Sequence, residues 1–105
     1  MILRILRAQI FHELKEEFEK GPALMSVKLV LSQRGCVSCQ VTKPLHKTSN
    51  TYAMISLWEN KQSLQAFVGD DFETASIPAG MNRYISSCTV EHYISTEPLR
   101  PQGQN

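Results

Sequence analysis

Apolar residues occupy both parities of MILRILRAQI: Ile2, Leu6, Ala8 and Ile10 share one side of an extended chain, and Leu3 and Ile5 take the other. Successive side chains of a strand point to opposite faces, so residues 1–10 read as a strand that needs cover on both sides. From His12 the period changes. In HELKEEFEK, Leu14 and Phe18 stand four apart among charges, which predicts an amphipathic helix. Gly21 and Pro22 interrupt it. Proline fits the first turn of a helix but not its interior, so a second helical piece is expected from Pro22, with Leu24, Val27 and Leu31 turned inward.

Gly35 is placed to close that helix from a left-handed conformation, and CVSCQVTKP then has the β-branched content of a strand ending at Pro44. After the polar connection HKTSN, TYAMISLW predicts a third strand, with Tyr52, Met54, Ser56 and Trp58 on one face and Thr51, Ala53, Ile55 and Leu57 on the other. Strands two and three form a hairpin in this reading. Asn60 is a plausible cap for a helix carrying Leu64, Phe67, Val68, Phe72 and Ala75 inward, bent near Gly69 and stopped by Pro78 and Gly80. RYISSCTVEHYIS supplies the last strand, with Cys88, Val90, His92 and Ile94 opposite Thr89, Glu91, Tyr93 and Ser95.

The order β-α-β-β-α-β predicts an α+β, ferredoxin-like antiparallel sheet with both helices on one face. Residues 1–95 make a single domain in this reading, and 96–105, rich in proline, glycine and glutamine, a flexible tail. Helices cover only one face of such a sheet, yet strands one and three are apolar both ways. A second copy packing sheet to sheet about a two-fold axis is the expected cover, so a homodimer through the sheet face is predicted.

Composition narrows the classes. At 42% hydrophobic and 20% charged, the chain is neither disordered nor fibrous, and 105 residues suit one domain with a core of its own. A net charge of +1 without a basic, aromatic-interleaved block argues against nucleic acid. Arg4 and Arg7 break the apolar N-terminus and no small-residue cleavage site follows, so neither a signal peptide nor a membrane span is expected. Three cysteines, an odd number, fit reduced thiols in a cytoplasm. No serine elbow, phosphate-cradling glycine loop or H-E-x-x-H helix supports hydrolysis, nucleotide chemistry or metalloprotease activity.

GCVSCQV holds a C-x-x-C pair, the one spacing that invites a redox or metal reading. In a regular strand Cys36 and Cys39 face opposite sides, with Cα atoms about 10 Å apart at about 3.3 Å per residue, beyond the roughly 4.4–6.8 Å that a disulfide spans. Zinc would want a second ligand pair, and none is recognisable. One cysteine is expected to face the helices and one the dimer interface, with no metal and no cofactor.

SLWENKQSLQAFVGDDFETA, followed by TVEHY, resembles the antibiotic biosynthesis monooxygenase-like family of dimeric α/β barrels. The resemblance follows element order over residues 1–95 and is specific between Ser56 and Tyr93. It implies two ferredoxin-like sheets joined into a barrel, and a monooxygenase that works without a cofactor on a small aromatic or polyketide-like metabolite. An electron-rich phenol, deprotonated in a dry pocket, would itself reduce dioxygen. His92 matches the histidine of the V-x-H-Y motif and would be the base. The family's haem-degrading branch has an asparagine in strand one and a tryptophan and histidine ten apart on the second helix. This chain departs from that pattern: its first strand lacks asparagine, and the matching helix positions are Phe67 and Ile77.

Each candidate carries two readings. Trp58, at the end of strand three, would floor a substrate pocket, or be a core aromatic with its N–H bonded to backbone. His92 would be a base or a hydrogen-bonded core or interface histidine. At least one of Arg4 and Arg7 should reach a carboxylate or a pocket anion, and Arg7, Gln9, Tyr84 and Phe67 complete the expected pocket. His12 and His46 are expected in solvent. The alternative function is a non-catalytic, dimeric small-molecule-binding or stress-associated module. A roomy cavity with His92 and an arginine converging would favour the enzyme; space filled by Trp58, Phe67 and Phe72 would favour the alternative.

Overall fold

The structure, a computed structural model, describes residues 1–96; past Thr96 the expected tail lies outside the described residues. Strand β1 (Ile2–Ile10) leads through a 3-10 turn (His12–Leu14) into helices α1 (Lys15–Lys20) and α2 (Pro22–Leu31). Strands β2 (Cys36–Thr42) and β3 (Thr51–Trp58), helix α3 (Lys61–Val68) and strand β4 (Ile85–Ile94) follow. The strands form one sheet in the order β2-β3-β1-β4, with β1 antiparallel to β3 and β4 and β2 antiparallel to β3. This is the α+β, ferredoxin-like topology expected from the order of elements, with the helices of the described residues on one face.

The parities expected of β1, β3 and β4 hold residue by residue. Arg4 pairs with Ser56 on β3 and with His92 on β4, and Ile2 with Trp58 and Ile94, so these side chains share the covered face. Two clusters fill the space under the helices. Ala8, Ile10, Phe18, Ala23, Tyr52 and Ile85 form one; Val30, Trp58 and Leu64 form the other, with Phe67 and Phe72 packed against it.

Helix α2 turns differently from the expectation. Ala23 and Val30, two turns apart, are buried and Val27 is partly covered, while Leu24 and Leu31 are exposed. The decapeptide PALMSVKLVL is apolar almost all round, so its period could not select a face. Small Ala23 permits close approach to the sheet beside Tyr52.

Helix α3 is shorter than expected. Asn60 caps it as foreseen, its Oδ1 accepting the Ser63 N–H at 2.9 Å. Gly69, at φ 97°, ends it instead of bending it, and Phe72 and Ala75 lie in the loop beyond. A left-handed glycine is the usual terminator, and Asp70 and Asp71 would add negative charge at the negative end of the helix dipole.

Gly35 takes the left-handed conformation, φ 85°, but α2 ends earlier, with Ser32 as its cap, so this glycine opens β2. A Cβ there would land on the Ser63 side chain at the start of α3. Gly35→Ala is therefore expected to cost at least about 1–2 kcal/mol, the usual strain of a left-handed L-residue, plus the clash. Urea denaturation should show Ser63→Gly restoring only the clash component.

The C-x-x-C reading needs correction. Cys36 pairs with Trp58 and Cys39 with Ser56, two residues of one parity, because the register shifts between Cys36 and Ser38. Val37 is the extra residue of a β-bulge, which turns the strand by one parity. Both thiols therefore face the helices, packed on the Trp58 cluster, and neither faces the open side. All three cysteines are free thiols. Burial, and then the neighbouring Cys36, push the Cys39 thiol up to about 11, so it is a protonated packing group at neutral pH.

Candidate functional site

The covered face gathers its polar chemistry at the Trp58 end of the sheet. Trp58 is fully buried and donates its indole N–H to the hydroxyl of buried Ser56 at 2.9 Å, a side-chain acceptor two residues away on the same face. Phe67 of α3 stacks on the indole, with ring centroids 5.6 Å apart and planes at 21°. Trp58 is thus a core aromatic with its donor satisfied.

Beside this aromatic wall, Arg4 of β1 and His92 of β4 meet across the sheet, Nη1 to Nε2 at 2.9 Å. A guanidinium has only donors, so Nε2 accepts and the ring proton resides on Nδ1. Burial first, then the Arg4 charge, hold the imidazole below its ordinary range, with Glu73 pulling the other way. The ring is accordingly neutral at pH 7. Burial lowers the Arg4 guanidinium as well. Its Nη1 also donates to the main-chain oxygen of Phe72 at 3.2 Å, and among the described residues it makes no ion pair with a carboxylate. The Phe72 ring sets its edge on His92, centroids 4.9 Å apart at 86°, and Lys61 Nζ lies 5.5 Å from its centre. An arginine and His92 do converge, but Phe72 fills the space against them.

The other expected pocket residues lie elsewhere. Arg7 and Gln9 are on the open face, where Arg7 pairs with Glu91 and Gln9 donates to Thr51 Oγ1 at 2.7 Å. Alternation places them there, since Arg4 holds the inner parity. Tyr84 belongs to the Phe18 end of the sheet, against Arg83 and the Phe18 ring. Six residues of β1, about 20 Å at 3.3 Å each, separate Arg4 from Ile10 at that end. His12 and His46 are exposed.

Near the Phe18 end, a cavity of about 180 Å³ between helices and sheet is lined by Glu19, Ala23, Val41, Lys43 and Tyr52. The Tyr52 hydroxyl donates to Glu19, and Lys43 Nζ stands 3.7 Å from the same carboxylate. Burial, and then Glu19, raise the phenol, so it keeps its proton. The inward parity of Tyr52 was a signal, because a buried phenol requires a partner. Glu19, one step from buried Phe18 on a helix charged all round, carried none.

On the open face, Leu3, Ile5, Ala53, Ile55 and Leu57 occupy the two central strands, with Gln40, Thr42, Thr89, Glu91 and Tyr93 on the outer ones. Among the described residues no helix is long and apolar enough to cross a membrane.

No family model matches the chain, and no curated protein is significantly similar to it. Solved structures do share its fold. A candidate antibiotic biosynthesis monooxygenase from Deinococcus radiodurans aligns with a TM-score of 0.72 at 10% identity, over 98% of this chain and 100% of that one. A second candidate of that description, from Nitrosomonas europaea, aligns at 0.66 and 10% identity, over 90% and 98%. The haem degrader MhuD of Mycobacterium tuberculosis, with two haems bound in its active site, aligns at 0.69 and 14% identity, over 95% and 100%. The chain therefore has the fold of the antibiotic biosynthesis monooxygenase-like structures.

Haem does not fit the residues present. Of the three histidines, His12 and His46 are exposed and His92 is committed to Arg4 on a strand; Phe67 fills the space on the inner side of α3 and Ile77 lies in a loop.

Proposed function

We propose that the protein is a monooxygenase-like oxidoreductase acting without a cofactor on a small aromatic or polyketide-like metabolite, as a homodimer joined through the open face of its sheet. The Arg4–His92 pair, set at 2.9 Å against an aromatic wall, carries this reading. When the Arg4 N–H turns from His92 Nε2 to the substrate oxygen, the freed Nε2 lone pair can take the proton of a phenol and the guanidinium can hold the phenolate. The phenolate then supplies the electrons. A C–O bond forms between dioxygen and a CH₂ carbon conjugated with the phenolate; the hydroperoxide breaks its O–O bond and loses water. The carbon ends as a carbonyl, one oxygen atom in product and one in water. Phe72 now lies where such a substrate would meet the pair.

Purified protein is expected to consume oxygen with at least one member of a panel of phenols and quinols, and His92→Ala to lower that rate by about 10²–10⁴, the usual contribution of a general base. Turnover unchanged in His92→Ala would remove this histidine from the reaction. The second reading, a non-catalytic binding or stress-associated module, draws support from the filled space between α3 and the sheet. Saturable binding of a panel member without oxygen uptake would establish it instead.

A further inference from the structure

Residues 69–80 form the first and larger part of the connection between α3 and β4. At its two ends Gly69 and Gly80 have φ of 97° and 82°, with nothing within 4 Å of where a Cβ would stand. Its backbone hydrogen bonds include local turns, Thr74 N–H to Asp71 at 3.2 Å and Met81 N–H to Pro78 at 3.0 Å. Asp70, Asp71, Glu73, Thr74, Ser76, Pro78 and Ala79 are exposed. Two side chains anchor it to the core: Ile77 on the Phe18 cluster and Phe72 on the Trp58 cluster. Free glycine torsions at both ends of a thinly anchored segment are the ordinary make-up of a hinged loop.

What Phe72 meets is unusual for a core anchor. A half-buried guanidinium without a carboxylate is costly, and here, among the described residues, it is answered only by a neutral imidazole and one peptide oxygen. That oxygen and the phenyl ring belong to the same residue. Together they present to Arg4 and His92 an aromatic ring carrying a hydrogen-bond acceptor, with Trp58 and Phe67 close behind.

We infer that the 69–80 segment is a displaceable plug, in which Phe72 holds the place of an aromatic ligand bearing an anionic oxygen. The ligand's ring replaces the phenyl group on His92 and the aromatic wall, and its carboxylate or phenolate replaces the Phe72 carbonyl on Arg4. An anion gains more from the guanidinium than a peptide oxygen does, because it adds a charge–charge attraction that a neutral carbonyl cannot supply. Displacement is therefore driven by the ligand's charge. This inference deepens the function proposed above, and it rests on that reading only for the location of the site.

Three naphthalene probes test it by titration calorimetry on the 105-residue chain: 1-naphthoate, 1-naphthol above its pKa, and uncharged 1-naphthylmethanol. The two anions are expected to bind at least tenfold more tightly than the alcohol, and their relative affinities distinguish a carboxylate from a phenolate site. Phe72→Ala is expected to tighten 1-naphthoate binding at least tenfold, since an open state populated at about 0.1–10% taxes apparent affinity by that factor. Should Phe72→Ala fail to fold, Phe72→Leu keeps an apolar side chain but removes the ring edge from His92. It should tighten binding about two- to tenfold, the equivalent of about 0.5–1.5 kcal/mol of aromatic contact. Equal binding of anion and alcohol would overturn the proposal, as would Phe72→Ala or Phe72→Leu variants that fold yet bind 1-naphthoate no better than wild type. Displacement without oxygen uptake on any phenol leaves the plug standing and removes the oxygenase; uptake with binding indifferent to Phe72 does the reverse.

Discussion

Trp58→Ala is expected to destabilise the protein by about 3–5 kcal/mol, the usual range for emptying a buried aromatic site. Native domains hold only about 5–15 kcal/mol in all, so this one change would bring the chain close to unfolding. The indole is completely enclosed, lies over Phe67 and sits against Val30 and Leu64 at the centre of its cluster. Its N–H is also the donor to Ser56, itself buried. Trp58→Phe keeps much of the apolar surface but orphans that hydroxyl, so an intermediate loss is expected. Trp58 is the chain's single tryptophan, so urea titrations of these variants are best followed by far-UV circular dichroism. A loss below about 1 kcal/mol for Trp58→Ala would mean that the site collapses easily or is loosely packed. That outcome would turn the region from a filled core into ready space for a ligand, and Trp58 back into a pocket floor.

Ile55→Lys is expected to convert the proposed dimer to monomers. Ile55 pairs with Ile5 at the middle of the two central strands, on the face no helix covers. Burying such a side chain is worth about 1.5–3 kcal/mol, and a two-fold interface uses each position twice. The loss is then a factor of about 10²–10⁴ in the dissociation constant at 1.4 kcal/mol per tenfold, before the cost of burying two like charges near the axis. Sedimentation velocity across a concentration series reads the result directly. A wild-type chain that stays monomeric at the highest concentration would remove the two-fold sheet interface, and with it the barrel.

Alternation alone placed each strand within a residue or two and assigned Tyr52, Met54, Ser56, Trp58, Cys88, Val90 and His92 to one face. A strand's period of two admits no intermediate answer, and half-buried strands display it openly. Helices were less legible. α2 is apolar on nearly every side, so its orientation was settled by how closely Ala23 could approach the sheet; α3 ended where Gly69 could turn, although the apolar spacing ran on to Phe72 and Ala75.

Among site residues, alternation put His92 on one face with Cys88 and Val90 and left open whether that face meets the core or the dimer interface. The sequence named Arg7 for the pocket, and the structure gives that place to Arg4. Arg4 and Arg7 differ by an odd number of residues, so one had to face the helices and the other the open side; the pairing of Arg4 with His92 and of Arg7 with Glu91 settled it. Tertiary structure also made the decision for the two cysteines, since a one-residue bulge at Val37 reverses parity without leaving a mark in the pattern. It alone placed the Phe72 carbonyl on Arg4, because a peptide oxygen has no sequence signature. Local periodicity is written in side-chain types; the meeting of groups 68 residues apart depends on packing that no local pattern encodes.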